Sequence, residues 1–490
     1  KSDSRCQQPP QSARAAPRQS EASSAAETSA TVGAAGDAAH GGDHRHRMQI
    51  LLGVSSPIMT RRLFATAGYF LDILRDLAGT LRHRWRHFHR RLADDRGVAA
   101  VGVDVTPFLE PLTGVGWYEW SLLDALGRRE DGLFYNLYAH SFPAPSEPAP
   151  SRIPTSPRLR LRIHPIPQGF LLPARATQLV LRTFIEPLLR ILDGNEVLFA
   201  PNFYIHPTQA AYGRGLVATV HDLGYVLMAD TVAPETVELM QRHLPATIFH
   251  ADRIIAVSAA TAGDLTEHLG VPQRRLHVVH EGRDPLFGEG SEPTPRPADL
   301  PDRYLLFVST IEPRKNVTGV LRAFRLLVEW GYDGHLMLVG RWGWRTEDIR
   351  SELDSSPVRD RVVHLDYVQR KRLVDFYRHA DALLYPSWLE GFGLPILEAM
   401  ACGTPVVTAG RSSMPEVAGP AAVYVDPASP HGIASSVASL LADEPNRRRL
   451  TKMGHERVER FSWDKAAAAT AQILRQAAGL PPTGDDEYRV

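Results

Sequence analysis

Two short segments of this 490-residue chain carry residue types that can hold a phosphorylated ligand. The first is Glu390-Gly391-Phe392-Gly393-Leu394-Pro395-Ile396-Leu397-Glu398. It follows the apolar run Ala-Leu-Leu-Tyr-Pro and leads into an apolar stretch that reads as a helix ending near Gly403. Pro395 suits the first helical turn, where its missing N–H is no loss. Gly391 and Gly393 let the main chain approach a ligand and expose N–H donors at the helix start, where the dipole favours a phosphate. Glu398, one turn into the helix, can accept from ribose hydroxyls, and Glu390 on the loop can reach sugar hydroxyls. Taken alone, the segment also fits an ordinary Gly-rich turn whose glutamates are solvated.

The second segment is Ser309-Thr310-Ile311-Glu312-Pro313-Arg314-Lys315-Asn316, after the run Tyr-Leu-Leu-Phe-Val. Arg314 and Lys315 are expected to begin the next helix. Adjacent cations there oppose the helix dipole, and a bound anion would relieve the cost. Arg provides a fork for phosphate oxygens and Lys a point charge. One such residue is ordinary surface charge; two at a strand end are harder to explain that way.

The elements that must position these segments alternate in type. Candidate strands lie at 98–104, 133–139, 159–163, 196–200, 216–220, 253–257 and 276–280, with helical stretches such as 117–128 and 232–249 between them. A Pro- and Gly-rich linker is expected over 286–302. The alternation resumes with strands at 304–308, 335–339, 362–365, 382–385, 405–408 and 422–425. Such alternation implies a mainly parallel sheet with helices on both faces. Two doubly wound units in series would each bind at the carboxyl ends of their strands, leaving a cleft between them.

The pairing of Glu-Pro-Arg-Lys-Asn with a segment whose two glutamates are separated by seven residues resembles the large retaining glycosyltransferase family that includes bacterial mannosyltransferases and sucrose synthase. The resemblance runs over roughly residues 98–478. Thr113-Gly114-Val115-Gly116 is similar to the family's glycine loop, although one Gly-x-Gly alone is a weak signal. Val220-His221-Asp222-Leu223 resembles its histidine loop, and Val257-Ser258-Ala259-Ala260-Thr261 its serine turn. Val339-Gly340, Ser412-Ser413-Met414-Pro415-Glu416-Val417 and Phe461-Ser462-Trp463 fit as well.

The resemblance implies the GT-B fold, an α/β arrangement of two Rossmann-like domains facing a central cleft. It implies transfer of a hexose, with mannose favoured, from a nucleotide-diphosphate sugar to a glycan or lipid-linked acceptor, with retention at the anomeric carbon. By position, Arg314 and Lys315 would bind the donor diphosphate and Glu398 the ribose. Glu390 would hold the hexose, helped by Gly391, Phe392, Gly393 and Leu394. His221 would contact the sugar near the reacting carbon, and Gly114 and Gly116 would border the donor phosphates. No cofactor and no metal ion are implied. One departure is the turn His280-Glu281-Gly282-Arg283, with Glu where many members carry Asn; it is expected to alter only a domain-edge loop. A phosphorylase, hydrolase or epimerase on the same architecture stays open, since fold alone does not set function, as does a non-catalytic membrane adaptor.

Asp222 fits a helix cap or turn as well as a ligand contact. Trp342 and Trp344 read as packing residues. The 55 basic and 55 acidic residues cancel, which gives no support for a nucleic-acid partner. The two cysteines, Cys6 and Cys402, offer no disulfide framework and no Cys-based metal site. No run of about 18 apolar residues suggests a membrane span.

Residues 1–47 contain almost no large apolar side chains and cannot bury enough surface to offset ordering entropy. The predicted domain order is a disordered tail over 1–60, a basic amphipathic helix over 61–96 and an acceptor domain over 97–285. After the linker come a donor domain over 303–460, a helix over 461–478 crossing back to the first domain, and a tail over 479–490.

In the 61–96 segment Leu63, Ala67, Phe70, Leu74, Leu77, Leu81, Trp85, Phe88 and Leu92 form one helical stripe flanked by arginines. Such a helix either lies in an anionic membrane interface or packs its stripe on the next domain. The first alternative implies a cytoplasmic protein peripheral on the inner face of the membrane. On that reading, anionic vesicles should retain the full chain less as salt rises. A protein beginning at residue 97 should bind them less at every salt concentration. Equal vesicle partition of the two proteins would remove the helix from the explanation.

Overall fold

The computed structural model describes residues 98–109, 112, 114–139, 153–163, 192–203, 215–288 and 295–481. The expected tail over 1–60, the basic helix over 61–96, Thr113 and most of the C-terminal tail lie outside them.

Seven parallel strands form the first sheet, in the order β3-β2-β1-β4-β5-β6-β7. They are β1 (Ala99–Asp104), β2 (Leu133–Ala139), β3 (Leu159–Ile163), β4 (Val197–Ala200), β5 (Gly215–Val220), β6 (Arg253–Ala256) and β7 (Leu276–Val278). Between them lie α1 (Gly114–Arg128), α2 (Pro234–His250) and α3 (Ala259–Leu269). The second sheet has six parallel strands in the order β10-β9-β8-β11-β12-β13. These are β8 (Tyr304–Val308), β9 (His335–Val339), β10 (Val362–Leu365), β11 (Ala382–Tyr385), β12 (Val406–Ala409) and β13 (Ala422–Val425). Its helices are α4 (Val317–Glu329), α5 (Glu347–Asp354), α6 (Arg370–Arg378), α7 (Leu394–Ala401), α8 (Met414–Ala418), α9 (Pro430–Ala442), α10 (Glu444–Val458) and α11 (Trp463–Ala477).

Sheets buried on both faces need continuous apolar strands, not alternating ones. Leu305, Phe307, Leu383, Leu384, Val406 and Val407 are all fully buried. The covering helices are one-sided. In α4, Val317, Val320, Leu321, Phe324 and Leu327 face the sheet while Arg322, Arg325 and Glu329 pair outward or meet solvent. Local capping fixes the helix starts near the interdomain face. Ser258 accepts from the Thr261 N–H ahead of α3, and Ser462 from the Lys465 N–H ahead of α11.

In each sheet the strand order reverses between the first and fourth strands of its unit, β1/β4 and β8/β11. These are the switch points at which doubly wound sheets bind ligands. Both expected phosphate segments leave strands flanking the second switch point: Ser309–Asn316 follow β8, and Pro386–Gly393 follow β11. Every expected strand is present, with ends shifted by no more than two residues.

One expectation changes. Arg314 and Lys315 do not begin a helix; they form a 3-10 turn, Pro313–Lys315, and α4 starts at Val317. Asn316 between them takes a left-handed conformation with φ of 59° and breaks the helix there. The expected linker is anchored where it begins. Phe287 is fully buried, edge-on to Tyr377 at 5.7 Å.

The chain returns to the first unit through α11. Ala466, Ala467, Ile473 and Leu474 join the core that contains Leu122 and Leu126 of α1. Arg475 donates to the Asp131 carbonyl. Where α11 begins, Gly282 lies against the main chain of Ser462 and Trp463, beside an isolated bridge between Arg283 and Ser462. A Cβ on Gly282 would collide with that main chain, which cannot swing aside as a side chain would. Gly282→Ala should therefore destabilise the fold by ~1–3 kcal/mol, the usual cost of overpacking. The check is thermal unfolding, with Gly263→Ala as the control, since a Cβ there meets nothing within 4 Å.

Candidate active site

The two segments expected to hold phosphate meet. Lys315 Nζ lies 2.6 and 2.8 Å from the two carboxylate oxygens of Glu390, and both side chains are buried. Arg314 sits beside them. Its Nη1 donates to Asp222 Oδ2 and to the Leu389 carbonyl, each at 3.2 Å, and its Nη2 is 3.0 Å from Glu312 Oε1. Asp222 is thus a turn residue as well as an ion-pair partner, because its Oδ1 accepts from the Gly224 N–H at 2.8 Å.

The charge balance decides the state of each acid. Burial alone would push all three carboxyls up. For Glu390, Lys315 and then Arg314 outweigh burial and bring the carboxyl below its ordinary value. For Asp222, Arg314 does the same with help from the Gly224 N–H. For Glu312 burial wins and its carboxyl is raised, with Glu390 and Asp222 adding to the effect.

The loop before α7 is held from behind. Ser412 and Ser413 hydroxyls donate to the Glu390 carbonyl at 2.7 and 2.9 Å, and Ser413 also donates to the Phe392 carbonyl at 2.9 Å. Gly393 has φ of 107°, a region closed to side chains, and turns the chain into α7, with Leu394 as its first residue. The Phe392 side chain points away into the core, against His280 and Phe461. Only its main chain faces the loop.

Glu398 is also buried, so the two glutamates are not solvated turn residues. Its Oε2 accepts from the Tyr377 hydroxyl at 2.8 Å and its Oε1 lies 3.5 Å from Arg370 Nη2. Burial raises its carboxyl, against the pull of Arg370 and the Tyr377 hydroxyl. Arg370 reaches further, to Asp284 Oδ2 at 2.7 Å, and its guanidinium stacks over Trp117 at 4.4 Å.

The first unit closes the other side. The His221 carbonyl packs so tightly on Gly391 that a Cβ there would collide with it. Thr261 donates to the same carbonyl at 3.0 Å. Glu416, in α8, accepts from the Ala259 N–H at 2.8 Å and ties the α3 start to the second unit. Gly114 and Gly116 lie in the first turn of α1, which carries Trp117 to Arg370 and Tyr118 to His221.

The expected residues His221, Arg314, Lys315, Glu390, Gly391, Gly393 and Glu398 therefore surround one region. Sequence reading missed Arg370, Tyr377 and Asp284, which carry no local motif, and gave no role to Glu312 inside the Glu-Pro-Arg-Lys-Asn segment. It also missed the burial of Glu281. That residue is in a loop, as expected, but it is buried, with Oε1 at 3.7 Å from His221 Nδ1. Trp342 and Trp344 are packing residues: Trp344 Nε1 donates to the Thr231 carbonyl and Trp342 lies under Arg350.

Residues 292–457 match the family model for glycosyl transferases group 1, and residues 112–286 that for glycosyltransferase family 4. The chain is 29% identical over 391 residues to O-antigen chain mannosyltransferase B of Escherichia coli, covering 75% of this chain and 97% of that protein. It is 32% identical to D-inositol 3-phosphate glycosyltransferase of Xylanimonas cellulosilytica, over 54% of this chain and 67% of that one. Among solved structures it resembles sucrose-phosphate synthase from Thermosynechococcus elongatus, with a TM-score of 0.60, 21% identity, and coverage of 77% and 98%.

The buried Lys315–Glu390 pair makes a stability prediction. Lys315→Ala strands a buried carboxylate and should cost ~3–5 kcal/mol. Adding Glu390→Gln removes the stranded charge and should restore part of the loss. Denaturant titration of the two single variants and the double variant measures this coupling. Additive losses would mean that the two side chains do not share a site.

Proposed function

We propose that this chain, which belongs to the glycosyl transferases group 1 family and is a hexosyltransferase of the GT-B fold, moves mannose from a nucleotide-diphosphate sugar to a glycan or lipid-linked acceptor. The observation that carries the reading is the convergence of Arg314, Lys315, Glu390 and the glycine-lined start of α7 beside Gly391 and His221. Similarity to a mannosyltransferase over 97% of that protein supports mannose and a glycan acceptor.

In this reading the diphosphate lies on Arg314, Lys315 and the N–H groups at the α7 start, with the ribose at Glu398 and the hexose at Glu390. Lys315 then exchanges its bond to Glu390 for phosphate oxygens, which frees the Glu390 carboxylate for sugar hydroxyls. As the glycosidic bond breaks, negative charge gathers on the leaving diphosphate. Cations already oriented there lower the barrier because they act most strongly in the transition state. The acceptor hydroxyl attacks from the face the diphosphate leaves, and its proton passes to the departing phosphate oxygen. Such chemistry asks for no metal ion and no cofactor. A peripheral position on an anionic membrane suits a lipid-linked acceptor.

The test is a panel of nucleotide-sugars scored for thermal stabilisation and donor turnover. A nucleotide-diphosphate mannose should stabilise the protein and be consumed. Arg314→Gln should lower kcat/KM by roughly a hundredfold, the scale of one lost transition-state donor. Unchanged turnover in that variant would sink the assignment, and sugar release with inorganic phosphate alone would favour a phosphorylase.

A further inference from the structure

Consecutive main-chain N–H groups on the loop before α7, those of Gly391, Phe392, Gly393 and Leu394, have no hydrogen-bond partner among the described residues. The first three of these residues are buried. Buried donors left unpaired are rare and unfavourable. The carbonyls of the same loop, by contrast, are held. The Glu390 carbonyl accepts from the Ser412 and Ser413 hydroxyls at 2.7 and 2.9 Å, and the Phe392 carbonyl from the same Ser413 hydroxyl at 2.9 Å. The Gly391 carbonyl lies 3.4 Å from Thr261 Oγ1 of the first unit.

In a planar trans peptide the C=O of one residue and the N–H of the next point in opposite directions. Ser413 draws in the carbonyls of Glu390 and Phe392. The N–H groups of Gly391 and Gly393 therefore both point away from its hydroxyl. One side chain sets two peptide planes, and it is itself fully buried.

The support behind the loop is firm. Ser412 has φ of 53°, a left-handed conformation that is costly for a residue with a side chain. Its hydroxyl also accepts from the Glu390 N–H at 3.3 Å. About one turn on, Glu416 accepts from the Ala259 and Ala260 N–H groups at the start of α3, at 2.8 and 3.3 Å. Lys315 holds the Glu390 side chain, so the main chain of the loop depends on these hydroxyls.

We infer that Ser413 is a positioning residue, fixing the Glu390 and Phe392 carbonyls so that the Gly391 and Gly393 N–H groups stay aimed at one anion that Ser413 never touches. Donors oriented beforehand need no reorganisation as charge builds on a leaving group. Ser412 matters less, because the one carbonyl it holds is also held by Ser413. The identity of the anion rests on the donor-site reading; the orientation of the loop does not.

Inorganic pyrophosphate is the probe, titrated calorimetrically into the full chain. It should bind the unmutated protein. Ser413→Ala should raise its Kd about tenfold, less than the ~10²-fold or more that losing a transition-state donor outright can cost. Ser412→Gly, which suits the left-handed turn, should have a smaller effect, and Ser413→Thr, which keeps the hydroxyl, should recover part of the affinity. With a nucleotide-sugar that is turned over, Ser413→Ala should lower donor kcat/KM about tenfold and leave acceptor KM within about twofold, a split that mere loss of folded protein does not give.

Orientation is read with 13C in the phenylalanine carbonyls and 15N in the glycine amides. Phe-Gly occurs twice in the sequence, at Phe287-Gly288 and Phe392-Gly393, and Phe392→Leu identifies the Gly393 signal by removing it. Pyrophosphate should move the Gly393 amide proton downfield in the unmutated protein, and less at saturation in Ser413→Ala. A Gly393 amide that pyrophosphate leaves unmoved would overturn the inference. So would a Ser413→Ala protein with unchanged pyrophosphate Kd and unchanged donor kcat/KM. Should pyrophosphate bind at Gly393 while no nucleotide-sugar is consumed, the transferase reading fails and the role of Ser413 at the anion site stands.

Discussion

The proposed donor site depends on one close main-chain approach, the carbonyl of His221 against the α-carbon of Gly391. His221 directly follows β5 of the first sheet, and Gly391 lies on the loop after β11 of the second. With no side chain between them, the two switch points come within main-chain contact. Thr261 and Glu416 then lock the approach with hydrogen bonds to main-chain atoms, which do not change with rotamer. Other features follow from this contact. The start of α7 is delivered beside Lys315, and the first turn of α1 is brought over both Arg370 and His221. A glycine is required there for lack of room, not for its backbone freedom.

Burying charge at that meeting point costs stability, and the arrangement limits the cost without abolishing it. Two cations, Arg314 and Lys315, face three acids, Asp222, Glu312 and Glu390. The excess acid has to go somewhere. It goes to Glu312, the one whose carboxyl is raised while the other two are lowered. A protonated Glu312 would leave two cations with two carboxylates, a neutral set. An apolar replacement of comparable volume is often as stable as a buried ion pair. Stability alone therefore does not account for so many charges in one place, which is what the proposed role in holding a leaving diphosphate would explain.

The strands and the places of the two expected phosphate segments were legible because their signals are local. A run such as Tyr-Leu-Leu-Phe-Val states its own burial, and Gly391, Gly393 and Pro395 state a turn into a helix within a few residues. The helix break after Lys315 was also written locally, in Pro313 and Asn316. It was missed because adjacent cations suggested a helix start, while the left-handed tolerance of asparagine decided the geometry. Glu281, Arg370, Tyr377 and Asp284 were illegible for a different reason. Each acquires its role from a partner dozens of residues away, and none stands in a pattern with a spacing to read. Glu281 was seen as a departure at a loop, yet its loop is pressed against the histidine by the return of α11 at Gly282.

The stretch between the units is tied to the second unit near both its ends. Asp284, just before the linker, and Asp299 within it both serve the start of α6. Arg370 and Arg372 stand in the first turn of that helix, where the dipole disfavours cations. Asp284 pairs with Arg370 at 2.7 Å and Asp299 with Arg372 at 2.5 Å, so the connecting segment is stapled to α6 at both ends. Arg370 adds two further links, stacking on Trp117 of the first unit and lying 3.5 Å from Glu398. A ribose taking the Glu398 oxygens would compete with Arg370 for them and leave the guanidinium to Asp284 and Trp117. Occupancy of the nucleoside end would then strengthen the hold of the second unit on the first, through a residue that touches no part of the transferred sugar.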